Sequence, residues 1–352
     1  MVTHVAVLDD YHGLAPTHFS KLDPSQYSIK YFPQTLRPYH DGHTSQAEKD
    51  ELVRRLEPFD VIATMRERTP FPKELIDRLP QLKLILSNGR HNKAIDMQAC
   101  HARGVPVTGS DVSKATVATL EHIITMILAV CRDIAQNDAA VKSGKWQTSM
   151  VTGVTGKTLG IVGLGRLGSS VARIMSTAFN MKIICWSSNL TQNTADEQAK
   201  AQGLPVERPD GEKTFKCVSR EELFSSSDIV TLHLLLSDRT RGLITIDDLS
   251  RMKQSSFFVN TSRGPLVVED DLLGILKAGK IRGAALEVFN LEPLPADSEW
   301  RDASWGTGGK SQVLVTPHIA FVEEGVLNDF YEHQVAELER WTKGEALGTT
   351  MS

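Results

Sequence analysis

Thr158-Leu-Gly-Ile-Val-Gly-Leu-Gly-Arg-Leu-Gly168 decides the fold. Leu159 to Val162 is a short apolar run suited to a buried strand, and Leu167, Val171, Ile174 and Met175 then repeat at helical spacing. Between them Gly163, Gly165 and Gly168 spell G-x-G-x-x-G. Gly163 permits a tight turn, Gly165 lets backbone approach a pyrophosphate, and Gly168 lets the helix pack on the strand. Arg166 and Leu167 open that helix, whose first amides would face the phosphates with the positive end of the dipole. With 25 glycines in 352 residues, chance supplies such a triplet in about one chain in ten. The weight therefore rests on the flanking strand and helix, which point to dinucleotide binding.

Working outward, the same βα rhythm continues on the carboxyl side. Strands are predicted at Met181 to Trp186, Asp228 to Leu235, Ser256 to Thr261, Ile281 to Phe289 and Val313 to Thr316. Ser219-x-x-Glu222 reads as a capping box, and Gly279 stands where a helix from Glu269 should stop. This is an α/β doubly wound plan. On the amino side, Val5 to Leu8, Val61 to Met65, Leu82 to Leu86 and Val105 to Val107 read as strands, with Ser45-x-x-Glu48 opening a helix that ends near Leu56. That region has no glycine fingerprint and is expected not to hold the dinucleotide. Residues 115 to 132 form a long helical pattern, and after His318 the chain turns helical again through Trp341, expected to pack back on the first domain. Residues 203–216 and 293–312 lack periodicity.

A net charge of −4 and a pI near 6.3 give no pull toward nucleic acid or an anionic membrane. Cys100, Cys131, Cys185 and Cys217 show no paired spacing, so buried thiols in a reducing compartment are expected, and no metal set is predicted. The longest apolar run, around Ile123 to Cys131, is about half of the roughly 20 residues a bilayer requires. Cytoplasmic location is the expectation.

Three polar groups follow the fingerprint at strand ends, where doubly wound folds place ligands: Asn260-Thr-Ser-Arg263-Gly, Glu287-Val-Phe-Asn-Leu-Glu292-Pro and Thr316-Pro-His318-Ile. Singly, a Ser-Arg-Gly turn, a Glu-Pro loop entrance and a lone histidine are each structural more often than not. Arg, Glu and His at successive strand ends of one sheet converge on one crevice.

These motifs, in this order, resemble the D-isomer-specific 2-hydroxyacid dehydrogenases. Met65-Arg-Glu-Arg-Thr-Pro70 and Ser87-Asn-Gly-Arg90 are similar to the family as well, so the resemblance covers nearly the whole chain. It implies two Rossmann-like or flavodoxin-like doubly wound domains, a discontinuous substrate domain of residues 1–118 with 320–352 and a dinucleotide domain of 119–319, with the active site in a cleft between them. It implies that Arg263 binds the substrate carboxylate and polarises the ketone, aided by the amides of Asn88, Gly89 and Arg90; the charge of Arg66 and Arg90 would instead serve a phosphorylated or polar 2-oxo acid. His318 would donate the proton, with Glu292 on its other ring nitrogen fixing the tautomer. Thr261, His233 and Glu287 would neighbour the cofactor, His233 as a structural residue. Two departures stand out: the common Asp is here Glu287, one methylene longer, and the H-x-P-L motif is His233-Leu-Leu-Leu236, without proline. Relatives are dimers built on residues 119 to 150, so a homodimer is expected.

The expected reaction is NAD(P)H-dependent reduction of 2-oxo acids to D-2-hydroxy acids. Tyr11, Met65, Phe71 and Phe321, with Trp305 as a lid, suggest medium apolar or aromatic substrates. Glyoxylate or hydroxypyruvate reduction and phosphoglycerate oxidation are the alternatives, formate or phosphite oxidation is a further one, and a dinucleotide-sensing corepressor is the non-enzymatic one. At the second strand end, where NAD-preferring folds carry an acidic residue, stands Ser187, followed by Ser188 and Asn189. Losing that carboxylate without gaining a nearby cation predicts a modest preference for NADP, with NAD still used.

Overall fold

The computed structural model describes residues 2–111 and 113–351. The chain divides into two compact units, Met1–Ala115 with Val322–Ser352 and Thr116–Phe321. In the first unit, β1 (Thr3–Leu8), β2 (Tyr27–Phe32), β3 (Val61–Ala63), β4 (Leu84–Leu86) and β5 (Val107–Thr108) form a parallel sheet in the order β2-β1-β3-β4-β5. The three inner strands read as continuous apolar runs because helices cover both faces. β2 escaped the sequence pattern: it is an edge strand in which only Tyr27 is buried, so no run of apolar residues marks it. Ser45 and Glu48 form the expected capping box of the helix Gln46–Leu56. The helix Glu324–Thr342 packs back on this sheet: Gln334 donates to the carbonyls of Thr64 and Leu86 at 3.0 and 3.2 Å, and Tyr331 Oη donates to Asp10 at 3.1 Å.

The second unit carries β6 (Thr158–Val162), β7 (Lys182–Trp186), β8 (Phe215–Cys217), β9 (Ile229–Leu232), β10 (Phe257–Asn260), β11 (Gly283–Leu286) and β12 (Gln312–Val315). They pair in parallel in the order β12-β11-β10-β9-β6-β7-β8. Strand order reverses between β6 and β9, the switch point at which such sheets open a crevice beyond their carboxyl ends. β8 was hidden in a segment without periodicity, since only Phe215 of its three residues is buried. The helix Ser113–Cys131 is long and apolar enough to cross a membrane; its Ile123, Met126, Ile127 and Val130 join Leu159, Ile161 and Val171 in the core.

Gly279, at φ +61°, ends the helix Glu269–Lys277 as its position suggested. Ser219 caps the helix Arg220–Ser226 through the amide of Glu222. Trp305, expected as a lid, is instead core: it stacks on Trp300 at 6.1 Å between ring centroids and is only 6% exposed. The indole finds its partner in the carbonyl of Glu299, so the 293–312 segment is a folded loop with its own aromatic anchor. Among the described residues all four cysteines are free; burial raises the thiol pKa of Cys100 and Cys131 to about 11 and 12.

Candidate active site

The site residues of the second unit sit just beyond the carboxyl ends of β10, β11 and β12. After β10 the chain folds into a small turn. Ser262 N–H donates to Asn260 Oδ1 at 3.1 Å, Asn260 Nδ2 donates to the Arg263 carbonyl at 3.0 Å, and Arg263 Nη1 donates to the Ser262 carbonyl at 2.7 Å. Asn at a strand end closes such a turn through its side chain. Gly264 packs directly on the backbone following β11: a Cβ there would lie 2.2 Å from the carbonyl carbon of Phe289. That contact sets the Arg263 turn against the loop holding Glu292.

Glu292 accepts from the Phe289 amide through Oε1 at 2.8 Å, which leaves Oε2 for His318 Nδ1 at 2.5 Å. Facing a carboxylate, Nδ1 carries the proton, and Nε2 is the nitrogen left to exchange one. His318 is half-buried at 24% side-chain exposure, its ring edge-on to Phe321 at 6.0 Å. Its φ of +52° lies in the left-handed region, uncommon for residues other than glycine although His, Asn and Asp enter it more readily, and frequent at functional sites.

At the switch point, Gly163 has φ +98°, and a Cβ would meet the Leu234 side chain at 2.9 Å and the His233 backbone at 3.0 Å. Gly168 admits no Cβ, which would lie 2.1 Å from the Gly163 carbonyl. Gly165 faces open space and heads the helix Arg166–Phe179 with no side-chain cap, leaving the first amides to be met by another group. Thr261 Oγ1 is buried with no partner among the described residues. An open glycine turn, an uncapped 14-residue helix and an orphaned hydroxyl suit a dinucleotide. His233 donates its amide to the Val162 carbonyl at 2.8 Å and pairs Nε2 with Thr231 at 3.2 Å; burial lowers its pKa to about 4, so it stays neutral. Ser187 is half-buried, and Ser188 and Asn189 are exposed. Arg220, inside a capping motif and so unmarked in the sequence, lies 5.3 Å from the Trp186 ring centre at the end of β7. Its guanidinium is engaged by Asp248 at 2.7 and 2.6 Å.

Glu287 is enclosed. Its carboxylate accepts from His122 Nε2 at 3.2 Å, from the Ala320 amide at 2.6 Å and from Thr316 Oγ1. Burial pushes its pKa up, but hydrogen bonds from His122 and Thr316, the charge of His122 and the Ala320 amide outweigh this and hold the carboxyl below its usual range. Sequence spacing held no sign of His122.

In the first unit, Asn88 is fully buried and reaches the Thr64 carbonyl at 3.5 Å, while its Oδ1 has no partner among the described residues. The Gly89 amide, expected for a substrate carboxylate, donates to Ser110 Oγ at 3.0 Å, a side chain 21 residues away that no local motif marks. Arg90 is exposed and 3.7 Å from Asp111. Arg66 has φ +55° and lies 3.5 Å from Glu67. Met65 and Phe71, expected to line a pocket, are 1% and 0% exposed and are core residues, and Phe321 is buried beneath His318; of that apolar set Tyr11 is exposed.

The model of the D-isomer specific 2-hydroxyacid dehydrogenase NAD binding domain matches residues 124–320. A hydroxypyruvate reductase of Blautia hydrogenotrophica is 26% identical, over 86% of this chain and 88% of its own. A glyoxylate reductase of Korarchaeum cryptofilum is 30% identical over 84% of each. The solved structure of a phosphoglycerate oxidoreductase from Vibrio cholerae superposes with a TM-score of 0.80 at 29% identity, covering 98% of this chain and 100% of that one. The chain spans about half the length of the D-3-phosphoglycerate dehydrogenases it also matches. A glycine turn at the switch point, a strand-end arginine and a carboxylate-bound histidine agree with these likenesses: the chain belongs to the D-isomer-specific 2-hydroxyacid dehydrogenases, oxidoreductases with a nicotinamide-dinucleotide-binding domain.

Proposed function

We propose that the protein reduces small polar 2-oxo acids, glyoxylate and hydroxypyruvate foremost, to D-2-hydroxy acids with NAD(P)H. The observation that carries this reading is the Glu292–His318 pair at 2.5 Å beside the Arg263 turn. A nicotinamide dinucleotide bound at Gly163, Gly165, Arg166, Leu167 and Gly168, with Thr261 beside it, supplies the hydride. Arg263 offers a planar fork to the substrate carboxylate and polarises the adjacent ketone. His318 Nε2 delivers the proton to the ketone oxygen and the ring becomes neutral, while Glu292 holds the ring and offsets the positive charge it carries before the transfer. Asn88, Gly89, Arg90 and Arg66 are the residues of the first unit proposed for substrate binding.

Full-length relatives named for hydroxypyruvate and glyoxylate reduction support small substrates. The apolar side chains that suggested larger ones are core: Met65, Phe71, Phe321 and Trp305. For the cofactor, Ser187, Ser188 and Asn189 support a modest NADPH preference: these three positions carry no carboxylate to repel a 2′-phosphate, and the nearby Arg220 is engaged by Asp248. Exposed Val117, Ile134, Val141, Trp146 and Met150 support a homodimer. The test is turnover of glyoxylate, hydroxypyruvate, phenylpyruvate and 2-oxoisocaproate with NADH and NADPH in parallel. The first two should lead in kcat/KM; a tenfold lead for the latter two reverses the substrate assignment, and turnover of none of them removes the 2-oxo acid reductase reading.

A further inference from the structure

We propose that Glu287 is a positioning residue that holds His318 in its left-handed backbone conformation, with His122 anchoring Glu287 in turn. The inference rests on the reading that His318 exchanges the substrate proton.

Three alternate residues around His318 hang from Glu287. Its carbonyl accepts the His318 amide at 3.0 Å, its Oε1 accepts the Ala320 amide at 2.6 Å, and its Oε2 accepts the Thr316 hydroxyl. These bonds bracket the residue at φ +52° and hold the chain there in a conformation it would otherwise leave. Glu287 is itself fixed by β11, its amide donating to the Asn260 carbonyl at 3.0 Å. The charge of the enclosed carboxylate, 1% exposed, requires a partner. His122 Nε2, from the helix Ser113–Cys131, supplies it at 3.2 Å and also lies 3.3 Å from Thr316 Oγ1. A carboxylate so enclosed and so fully engaged holds protein backbone. One side chain thereby joins Ala320, Thr316 and His122.

The test compares Glu287→Gln, Glu287→Asp, His122→Leu and His122→Gln in the full chain, with hydroxypyruvate and NADPH as probes. Each variant is read by kcat, KM, the dissociation constant of NADPH from its fluorescence, and the ¹⁵N resonances of the His318 ring, assigned by their loss in His318→Asn. A misplacement near 1 Å costs about 10²-fold. Glu287→Gln and His122→Leu should therefore lower kcat by about 10- to 100-fold, with KM and NADPH affinity nearly unchanged and the His318 ring resonances shifted. His122→Gln keeps a donor toward Glu287 and should recover part of the loss. Should Glu287→Gln not fold, Glu287→Asp and the His122 pair carry the comparison. NADPH binding weakened more than tenfold with kcat retained at saturation would make Glu287 a cofactor ligand and overturn the proposal. Unmoved kcat and unmoved ring resonances in folded variants would overturn it too. A wild type that reduces no 2-oxo acid defeats the functional reading instead, and the ring resonances then judge the clamp by themselves.

Discussion

Gly264→Ala should damage the chemistry without touching a reacting group. The ideal Cβ lies 2.2 Å from the Phe289 carbonyl carbon, 2.3 Å from its oxygen and 2.6 Å from the Asn290 amide nitrogen. Ordinary contact begins near 3.4 Å, so the two backbone segments must part by about 1 Å, and backbone has no rotamer with which to yield. One segment carries Arg263 and the other Glu292, so the added methyl separates the carboxylate-binding arginine from the pair that moves the proton. Overpacking of this kind costs about 1–3 kcal/mol, a fall in Tm of roughly 2–12 °C for a unit of this size. A displacement of that order lowers kcat about 10²-fold. The glycine turn after β6 is not part of the contact, so NADPH affinity should stay within about threefold of wild type. Steady-state kinetics, NADPH fluorescence titration and a thermal melt measure the three quantities. A folded variant with wild-type kcat and an unmoved Tm would refute the steric argument.

Ser187→Asp restores the carboxylate that repels a 2′-phosphate and should tip the NADPH to NADH ratio of kcat/KM toward NADH; a wild type already favouring NADH tenfold contradicts the cofactor assignment. His233 has its pKa lowered by burial from 6.5 to about 4. Between those values the unfolded chain binds the proton and the folded one does not, so stability is full above pH 6.5 and is lost as pH falls toward 4. Urea midpoints across that window should fall less steeply in His233→Gln, and an identical slope would show that His233 contributes nothing to the fall.

Much of this was legible in the sequence where one element carried its own signal. The glycine turn after β6, Ser45 with Glu48, and Gly279 each depend on residues within a few positions, and the structure places each as a turn, a capping box and a helix stop. Arg263, Glu292 and His318 were legible because parallel strands deliver their carboxyl ends to one side of the sheet. What escaped was what depends on sequence-distant partners. β2 and β8 are edge strands with few buried residues, so their alternation is faint. Ser110 on the Gly89 amide and His122 on Glu287 are side-chain contacts with no periodicity to announce them. Trp305, Met65 and Phe71 show the converse difficulty: an apolar residue near a motif looks the same in sequence whether it lines a pocket or fills a core.

The most direct test is His318→Ala against wild type, followed by the loss of NADPH absorbance with glyoxylate and with hydroxypyruvate at saturating cofactor. A positioned proton donor contributes about 10²–10⁴-fold, so the wild type should turn over both acids and the variant should lose kcat by that factor while binding NADPH as tightly as before. A variant that reduces either acid at near wild-type rate would contradict the assignment of His318, and with it the mechanism built on the pair it forms with Glu292.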